Sequence, residues 1–402
     1  MRYFVGIRAL ALVVVGSGVA GDYSPAANDA IARPVVGGQA APVLLTVPAA
    51  PMPVTAAGRV TLVYELYVAN VGRSTLRIEG IEVHNADVAE IAPVATYRRS
   101  ELERDVKMFA PRGAPPAKVL SPGVRAVVYF WLAFDSLPAV PKALAHRVVF
   151  ADGSTVDGGR VLVRPPADLT LAPPVGVGDW WIGLGPSNTS EHRRSVLRVG
   201  DDTVPHSAQR FAIDWVKLDA HGEYARDHVG RQNADWYGYG EPVLAAAEAR
   251  VAAIMDSIPD NVPGEDSRAV PIRVSTLLGN YVLLDLRAGP GDVHRYALYG
   301  HLRPGSLRVH VGDTVRRGQI LGAIGNSGNS DGPHLHYQVT EAADPATAPL
   351  RGEGVPWMLD AFTVVSHDPE RVQQKAVLTA LGPQRAALPV EGDVVRLVAT
   401  RP

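Results

Sequence analysis

Glycine and proline limit how this chain can fold more than any other residues do. There are 39 glycines and 33 prolines among its 402 residues, about 18% where roughly 12% is usual. Proline interrupts helices and glycine favours turns, so we predict many turns and short strands rather than long helices. At roughly 150 residues per domain, this length corresponds to two or three domains.

Composition and charge exclude several classes of protein. With 47% hydrophobic and 20% charged residues, the chain can bury an ordinary core and is not fully disordered. Its net charge of -2 lacks the basic excess of a general nucleic-acid binder. Because there is no cysteine, disulfide scaffolds, cysteine nucleophiles and cysteine–zinc sites are excluded. Any metal site must be built from aspartate, glutamate and the 12 histidines.

The first 20 residues have the layout of a secretory signal peptide. A basic segment ends at Arg8, an apolar run extends from Ala9 to Val15, and small residues lead to Ala20, which matches the expected order. The apolar run is shorter than the roughly 20 residues that a bilayer span needs. We therefore expect cleavage near Ala20, export to a bacterial periplasm or exterior, and no stable membrane span. An uncleaved membrane anchor is the alternative.

Short runs of strand-forming residues follow in residues 21–164. They either alternate apolar and polar residues or form continuous apolar stretches, and they lie at residues 60–68, 76–83, 126–132, 146–150 and 160–163. Several short strands at this spacing predict an antiparallel β-sandwich.

The rest of the chain divides by composition. Residues 165–178 contain four prolines and are predicted to be a linker. Residues 179–365 form a second predicted domain, and residues 366–402 a C-terminal tail with extra strands. Within the second domain, residues 243–258 are the best helix candidate, or a strand followed by a short helix.

A small set of histidines and one aspartate indicates a metal-binding or catalytic site. His334 and His336 are separated by one residue, so on a strand both side chains point to the same face. They can share a metal, or one can bind metal while the other handles protons. Upstream lie His301, and Asp214 within the apolar run 211–215. A carboxylate in such a run is costly to bury unless it is paired or binds metal.

The order of these motifs resembles peptidase family M23, the lysostaphin-like zinc endopeptidases of bacterial cell walls. That family carries His-x-x-x-Asp, Gly-Asn, Tyr-x-His-Leu, Gly-Asp-x-Val-x-x-Gly-Gln and Gly-Pro-His-Leu-His. This chain has Asp214 and then the corresponding segments 279–280, 299–302, 312–319 and 332–336. The resemblance covers roughly residues 205–340. It implies a lysostaphin-like antiparallel β domain after the sandwich, and so a mostly β protein, with Asp214 and His336 as zinc ligands and His301 and His334 as catalytic histidines.

One position departs from the family pattern. The family's first ligand is a histidine four residues before the aspartate, where this chain has Arg210. Arginine keeps its proton and cannot bind zinc, and a catalytic zinc usually has three protein ligands. We prefer His192 as the third ligand, on a strand beside the one bearing Asp214, with His206 or a lost site as alternatives. Arg210 is then available to pair with a substrate carboxylate.

Two functions follow from these residues and the resemblance. The first is an exported zinc endopeptidase acting on cell-wall peptides, with the sandwich as a binding or positioning module. If a neutral imidazole accepts the proton, activity should be lost below about pH 6. The alternative is a non-catalytic M23-like protein that binds wall peptides or regulates another hydrolase.

Overall fold

The computed structural model describes residues 42–88, 92–109, 119–195, 206–287, 293–367 and 382–399. The expected signal peptide, residues 1–20, lies outside the described residues. Contacts divide the chain into two compact units, one formed mainly by residues up to 167 and the other mainly by residues from 168 onward. Among the described residues, no helix has the length and hydrophobicity to cross a bilayer.

The first unit consists almost entirely of short strands. Its described elements are β1 (Val43–Thr46), β2 (Val54–Ala56), β3 (Arg59–Asn70), β4 (Leu76–Asn85), β5 (Ala95–Arg98), α1 (Ser100–Asp105), β6 (Val106–Phe109), β7 (Val119–Leu120), β8 (Arg125–Phe134), a 3-10 turn (Leu137–Ala139), β9 (Ala143–Phe150) and β10 (Thr155–Leu162). One sheet has the order β1-β3-β8-β6 and the other β10-β9-β4-β5, and the pairings within both orders are antiparallel.

Both sheets contribute to one apolar core. Leu62 of β3, Ile81 of β4, Phe130 of β8 and Val148 of β9 belong to the same buried cluster, and each such side chain gives roughly 1.5–3 kcal/mol on burial. The alternation seen in the sequence puts these residues on the inner faces. The predicted antiparallel β-sandwich is therefore confirmed.

This core also holds a buried polar pair. His146 is 1% exposed, and its Nε2 lies 2.9 Å from the hydroxyl of Tyr64. Its Nδ1 lies 3.0 Å from the carbonyl oxygen of Gly159. Because a carbonyl can only accept, Nδ1 donates to Gly159 and Nε2 accepts from Tyr64. Burial lowers the pKa of His146 to about 4, so this histidine is neutral at physiological pH.

The second unit is also built from strands. Its described elements are β11 (Thr170–Leu171), β12 (Gly178–Ile182), α2 (Glu191–Arg194), β13 (Ile213–Leu218), a 3-10 turn (Asn233–Asp235), β14 (Pro242–Leu244), β15 (Ala249–Met255), β16 (Asn280–Asp285), β17 (His294–Leu302), β18 (Thr314–Val315), β19 (Ile320–Ala323), β20 (Leu335–Ala342), α3 (Ala348–Arg351), β21 (Glu353–Gly354), β22 (Met358–His367), β23 (Gly382–Ala387) and β24 (Asp393–Leu397).

One large sheet organises this unit. Its main order is β11-β22-β24-β12-β13-β20-β17-β16-β15-β18, while β14 and β19 pair separately. Of the pairings in the described part of the unit, β11 with β22 is parallel and the others are antiparallel. The mostly β, antiparallel fold class is confirmed.

The helix predicted at residues 243–258 is wrong. That segment forms β14 and β15, of which β15 pairs with both β16 and β18. The alanine-rich stretch between them has a high helix propensity, but its amide groups bond elsewhere. Ala245 N–H donates to the carbonyl of Gln319 and Ala246 N–H to the hydroxyl of Tyr299 at 2.9 Å. Sheet pairing therefore overrides local preference.

Candidate metal centre and active site

The register of three neighbouring strands builds the floor of the site. Asp214 of β13 pairs with His336 of β20, which pairs on its other side with Gly300 of β17. Residues paired across a sheet point to the same face, so Asp214 and His336 meet although 122 residues separate them in the sequence. Their sequence neighbours Ile213 and Tyr337 point to the opposite face.

His301 enters this face through a β-bulge. Between β16 and β17, Val282 pairs with Tyr299 and Asn280 with Leu302, so Gly300 and His301 together oppose a single residue. The backbone at His301 is left-handed, with φ 60°. A bulge re-aims a side chain that regular alternation would send to the other face. The His301 ring consequently lies 4.9 Å from the ring of His334 and 5.8 Å from that of His336, between centroids.

The Gly-Asn motif holds this bulge in place. Gly279 has φ 63°, and a Cβ there would collide with the carbonyl and hydroxyl of Ser327, so only glycine fits. The side chain of Asn280 accepts from Ile258 N–H at 2.8 Å and donates to the carbonyl of Leu302 at 3.0 Å. The conformation at His301 is thus fixed by hydrogen bonds on both sides.

His192 completes a group of three donors. It lies on the one-turn helix α2, not on a strand as expected. Its Nε2 is 2.9 Å from Oδ1 of Asp214, yet this buried atom has no hydrogen-bond partner among the described residues. Its ring packs edge-on against that of His336, with centroids 4.7 Å apart. One ligand atom from each of His192, Asp214 and His336 lies within 4.8 Å of the others, close enough to hold one metal ion.

Gln338 decides which nitrogen of His336 is free. The amide nitrogen of Gln338 donates to the carbonyl of Pro349 at 2.8 Å, so its amide oxygen accepts from Nε2 of His336 at 2.9 Å. In a neutral ring, Nδ1 then carries the lone pair. That lone pair faces Oδ1 of Asp214 at 3.0 Å, so the contact is favourable when a proton or a metal ion lies between the two atoms. Two imidazoles and one carboxylate are a typical zinc ligand set, so the residues fit this metal.

The Asp214 carboxylate and the histidines around it shift one another's pKa values. Burial opposes ionisation of Asp214, but the charges of His192 and His334 outweigh it and hold its pKa well below the usual value. Burial lowers the pKa of His336, with the charge of His192 adding to the effect and the hydrogen bond to Asp214 opposing it. Asp214 is therefore an anion available to a metal.

The two remaining histidines have opposite electrostatics. Burial and the charges of His334 and His336 hold the pKa of His301 well below 6.5. Burial also acts on His334, but the charge of Asp214 and a hydrogen bond to it outweigh burial and raise the pKa. Nε2 of His334 lies 3.5 Å from Oδ2 of Asp214. At neutral pH His301 is therefore unprotonated, while His334 holds a proton more tightly than an ordinary histidine does.

Backbone carbonyls orient both rings. Nδ1 of His301 donates to the carbonyl of Ser327 at 2.8 Å, and Nδ1 of His334 donates to that of Gly332 at 2.8 Å. The Nε2 atoms are therefore the ones left for chemistry. In His301 this atom carries a lone pair, and in protonated His334 it carries a hydrogen.

Arg210 and His206 are not brought into the site. Arg210 is 4% exposed, donates to the carbonyl of Gly354 at 2.9 Å and pairs with Glu353. It thus binds an internal carboxylate and not, as the sequence allowed, one from a substrate. His206 lies 3.9 Å from the same glutamate and does not belong to the metal-binding group.

Sequence reasoning missed Gln338. It lies two residues after His336 on β20, so strand alternation puts both on one face. The alternation that puts His334 and His336 on one face of a strand extends to Gln338 as well.

An antiparallel β unit that gathers a His–Asp–His group beside two further buried histidines has the residues of a metal-dependent hydrolase. Comparison with known families agrees with this class. Residues 234–348 match the model of peptidase family M23, and the resemblance to that family is confirmed over this range. The range contains His301, His334 and His336, while His192 and Asp214 precede it.

One relative matches a short stretch of the chain. A stretch of 45 residues is 51% identical to Endolysin 2638A of Staphylococcus phage 2638A and spans 10% of this chain and 9% of the endolysin.

Solved structures are also similar, among them two catalytic domains. The catalytic domain of the prophage-encoded M23 protein EnpA from Enterococcus faecalis is 21% identical, covering 46% of this chain and 92% of that one, with a TM-score of 0.25. The catalytic domain of lysostaphin from Staphylococcus simulans is 22% identical, covering 41% and 80%, with a TM-score of 0.21.

Proposed function

We propose that this chain is an exported, zinc-dependent endopeptidase that hydrolyses peptide bonds of bacterial cell-wall peptidoglycan. The observation that carries the proposal is the convergence of His192, Asp214 and His336, whose ligand atoms lie within 4.8 Å of one another. The family match supports a peptidase, and the phage relative, named an endolysin, supports a cell-wall substrate.

In this proposal the three converging residues are the zinc ligands. Nδ1 of His336 and Oδ1 of Asp214 face each other at 3.0 Å, and Nε2 of His192 lies 2.9 Å from the same oxygen. Bound zinc would polarise the scissile carbonyl and lower the pKa of a water molecule toward about 7. In this proposal His192 takes the place of the family histidine that Arg210 replaces, and the non-catalytic alternative stays the competing hypothesis for the test below.

The two other histidines divide the proton chemistry. His301, whose pKa lies well below 6.5, accepts the proton of the attacking water at Nε2. His334, whose pKa is raised, donates a hydrogen bond from Nε2 to the developing oxyanion. Proton transfer by a positioned side chain contributes about 10²–10⁴-fold.

The remaining parts of the proposal concern the chain outside the site. Residues 1–20 direct export, so the mature protein acts in the periplasm or outside the cell. Residues 21–164, the β-sandwich, bind or position the substrate, residues 165–178 link it to the peptidase domain at 179–365, and residues 366–402 form the tail.

Metal content tests the proposal. The purified protein should hold one zinc per chain by mass spectrometry of the metal, and should release new amino groups from purified peptidoglycan. His192→Ala and His336→Ala should each lose zinc and activity, since each removes one of three ligands. His206→Ala is the matched control and should keep both. Protein without zinc, or with zinc that survives His192→Ala, contradicts the ligand set and favours the non-catalytic alternative.

A further inference from the structure

The helix that carries His192 cannot hold its own position. α2 has four residues and no side-chain hydrogen bond at its N-cap, whereas isolated helices need about 12–15 residues to be even marginally stable. Nε of Arg194 donates to the carbonyl of Asn188 at 2.8 Å, so the loop before the helix, residues 183–190, takes part in setting the direction of the His192 ring.

A buried hydrogen-bond chain fixes that loop. The hydroxyl oxygen of Ser187 accepts from the N–H groups of Thr189 at 3.1 Å and Ser190 at 2.8 Å. The same hydroxyl donates to Oε2 of Glu391 at 2.5 Å. Ser187 is 5% exposed and Glu391 7%. The Ser187 hydroxyl thus hydrogen-bonds the backbone of the turn that leads into α2, and Glu391 holds that hydroxyl in place.

The backbone around Glu391 is fixed against the same loop. Gly392 N–H donates to the carbonyl of Ile182 at 2.9 Å, and β24 pairs with β12 on the far side. A Cβ on Gly185 would lie 2.8 Å from the nitrogen of Glu391, so glycine is required for this close approach. Glu391 therefore cannot move away from the loop without breaking the end of the sheet.

The charge of His192 also acts on the Glu391 carboxylate. Burial raises its pKa to about 7, while the Ser187 hydrogen bond and the charge of His192 act against that rise. A carboxyl group at this depth is costly for the fold unless it has partners. Both Ser187 and Glu391 lie outside residues 234–348, which match the family model.

We propose that Glu391 is a positioning residue for the metal site: through Ser187 it fixes the turn that presents His192 to the metal. The C-terminal tail is then part of the metal centre although it supplies no ligand. This inference rests on the proposed function, because the position of His192 matters in this way only if His192 binds zinc.

Zinc affinity tests the inference apart from activity. Competition with a coloured chelator gives the zinc Kd of the full chain, and thermal unfolding without metal reports stability. Glu391→Leu should weaken zinc binding about 10–100-fold, as loss of an outer-shell partner does. Glu391→Gln keeps an acceptor for the Ser187 hydroxyl and should stay close to wild type. Ser187→Ala, a smaller change, should weaken binding as Glu391→Leu does, and provides the test if the leucine variant does not fold.

Asp393→Asn is the matched control. This residue begins β24 directly after the turn at Glu391 and is similarly buried, at 8% exposed, but pairs with His367 at 3.1 Å. It also accepts from Val390 N–H at 3.1 Å, and asparagine keeps an acceptor oxygen for that bond. It should leave the zinc Kd unchanged even if it lowers the Tm. Wild-type Kd values in both Glu391→Leu and Ser187→Ala, while His192→Ala abolishes binding, overturn the positioning role and leave the proposed function intact. Zinc binding by the wild type that is independent of His192 overturns both.

Discussion

Each unit of this protein buries histidine, and the surroundings make the two cases different. In the sandwich, both ring nitrogens of His146 are used by neutral partners, the Tyr64 hydroxyl and the Gly159 carbonyl. In the second unit, His334 and His336 lie against the carboxylate of Asp214. His146 is 1% exposed, as is His336, and His334 is 3% exposed.

The comparison separates burial from function. Burial is the main cause that lowers the pKa of His146 to about 4, and it leaves a neutral ring that serves the fold. For His334 the charge of Asp214 and a hydrogen bond to it outweigh burial, and the pKa rises instead, whereas for His336 burial still lowers the pKa. A buried histidine is therefore a candidate for chemistry when an anion shares its site and a ring nitrogen is left without a neutral partner.

Replacing the anion should have the largest effect. Asp214→Asn keeps the shape of the side chain but removes its charge, so zinc affinity should fall by more than the about 10–100-fold typical of an outer-shell loss, and peptidoglycan hydrolysis should disappear. Equilibrium dialysis with zinc measures the first effect. Asp285→Asn, which alters a carboxylate 3.1 Å from His294 at a more exposed site, should change neither property. Full zinc binding by Asp214→Asn would contradict the inference that the charge of Asp214 distinguishes the histidines of the second unit from His146.

Removing the proton acceptor should cost activity without costing metal. His301→Asn suits the left-handed backbone at this position, since asparagine tolerates positive φ. We expect kcat to fall about 10²–10⁴-fold while zinc content stays at the wild-type level. Steady-state hydrolysis and metal analysis on one preparation check this. If zinc is lost together with activity, His301 supports the metal site and is not the base.

In the proposed mechanism, the opposite pKa shifts of His301 and His334 predict a bell-shaped pH profile. Activity needs His301 unprotonated, and because its pKa lies well below 6.5, the acid limb should lie below that value. It also needs His334 protonated, and because its pKa is raised, activity should fall as pH rises above 6.5 through that pKa. His334→Asn should be slower and lack the alkaline limb. An acid limb at 6.5 or above would reverse the two roles.

The sandwich histidine should affect stability and not catalysis. Unfolded His146 binds a proton near pH 6.5, whereas folded His146 resists until about pH 4. The unfolded state thus holds more protons between these values, so stability is complete above 6.5 and falls by roughly 3 kcal/mol in total as pH drops to 4. Denaturant unfolding of the sandwich at several pH values measures this change in the free energy of unfolding. His146→Gln should flatten the dependence and leave hydrolysis unchanged at pH 7; a loss of hydrolysis there would contradict the comparison.

Much of the fold could be predicted because alternating runs and continuous apolar runs of strand length both indicate sheets. The runs at 76–83 and 126–132 correspond to β4 and β8. The segment 243–258 failed because its alanines favour a helix locally, while the hydrogen-bond partners that make it two strands come from distant residues such as Gln319.

The site was predictable where motifs are local and not where it depends on contacts. His301, His334 and His336 follow from short motifs. His192 is preferred over His206 because of an expected strand position, whereas it lies on the helix α2. Nothing local in the sequence indicates the bulge at His301, which arises from how β16 and β17 align. Glu391 approaches Ser187 across 204 residues, a distance that no motif spans.

The alignment of β13, β20 and β17 has a consequence for how such a protein can change over time. Asp214 and His336 meet because they occupy paired positions on adjacent strands. Inserting or deleting one residue within β13 would turn the carboxylate to the aromatic side of the sheet, where Tyr337 packs on Trp357. We therefore expect length variation in the connecting loops and not within these strands, so that Asp214 and His336 stay on one face.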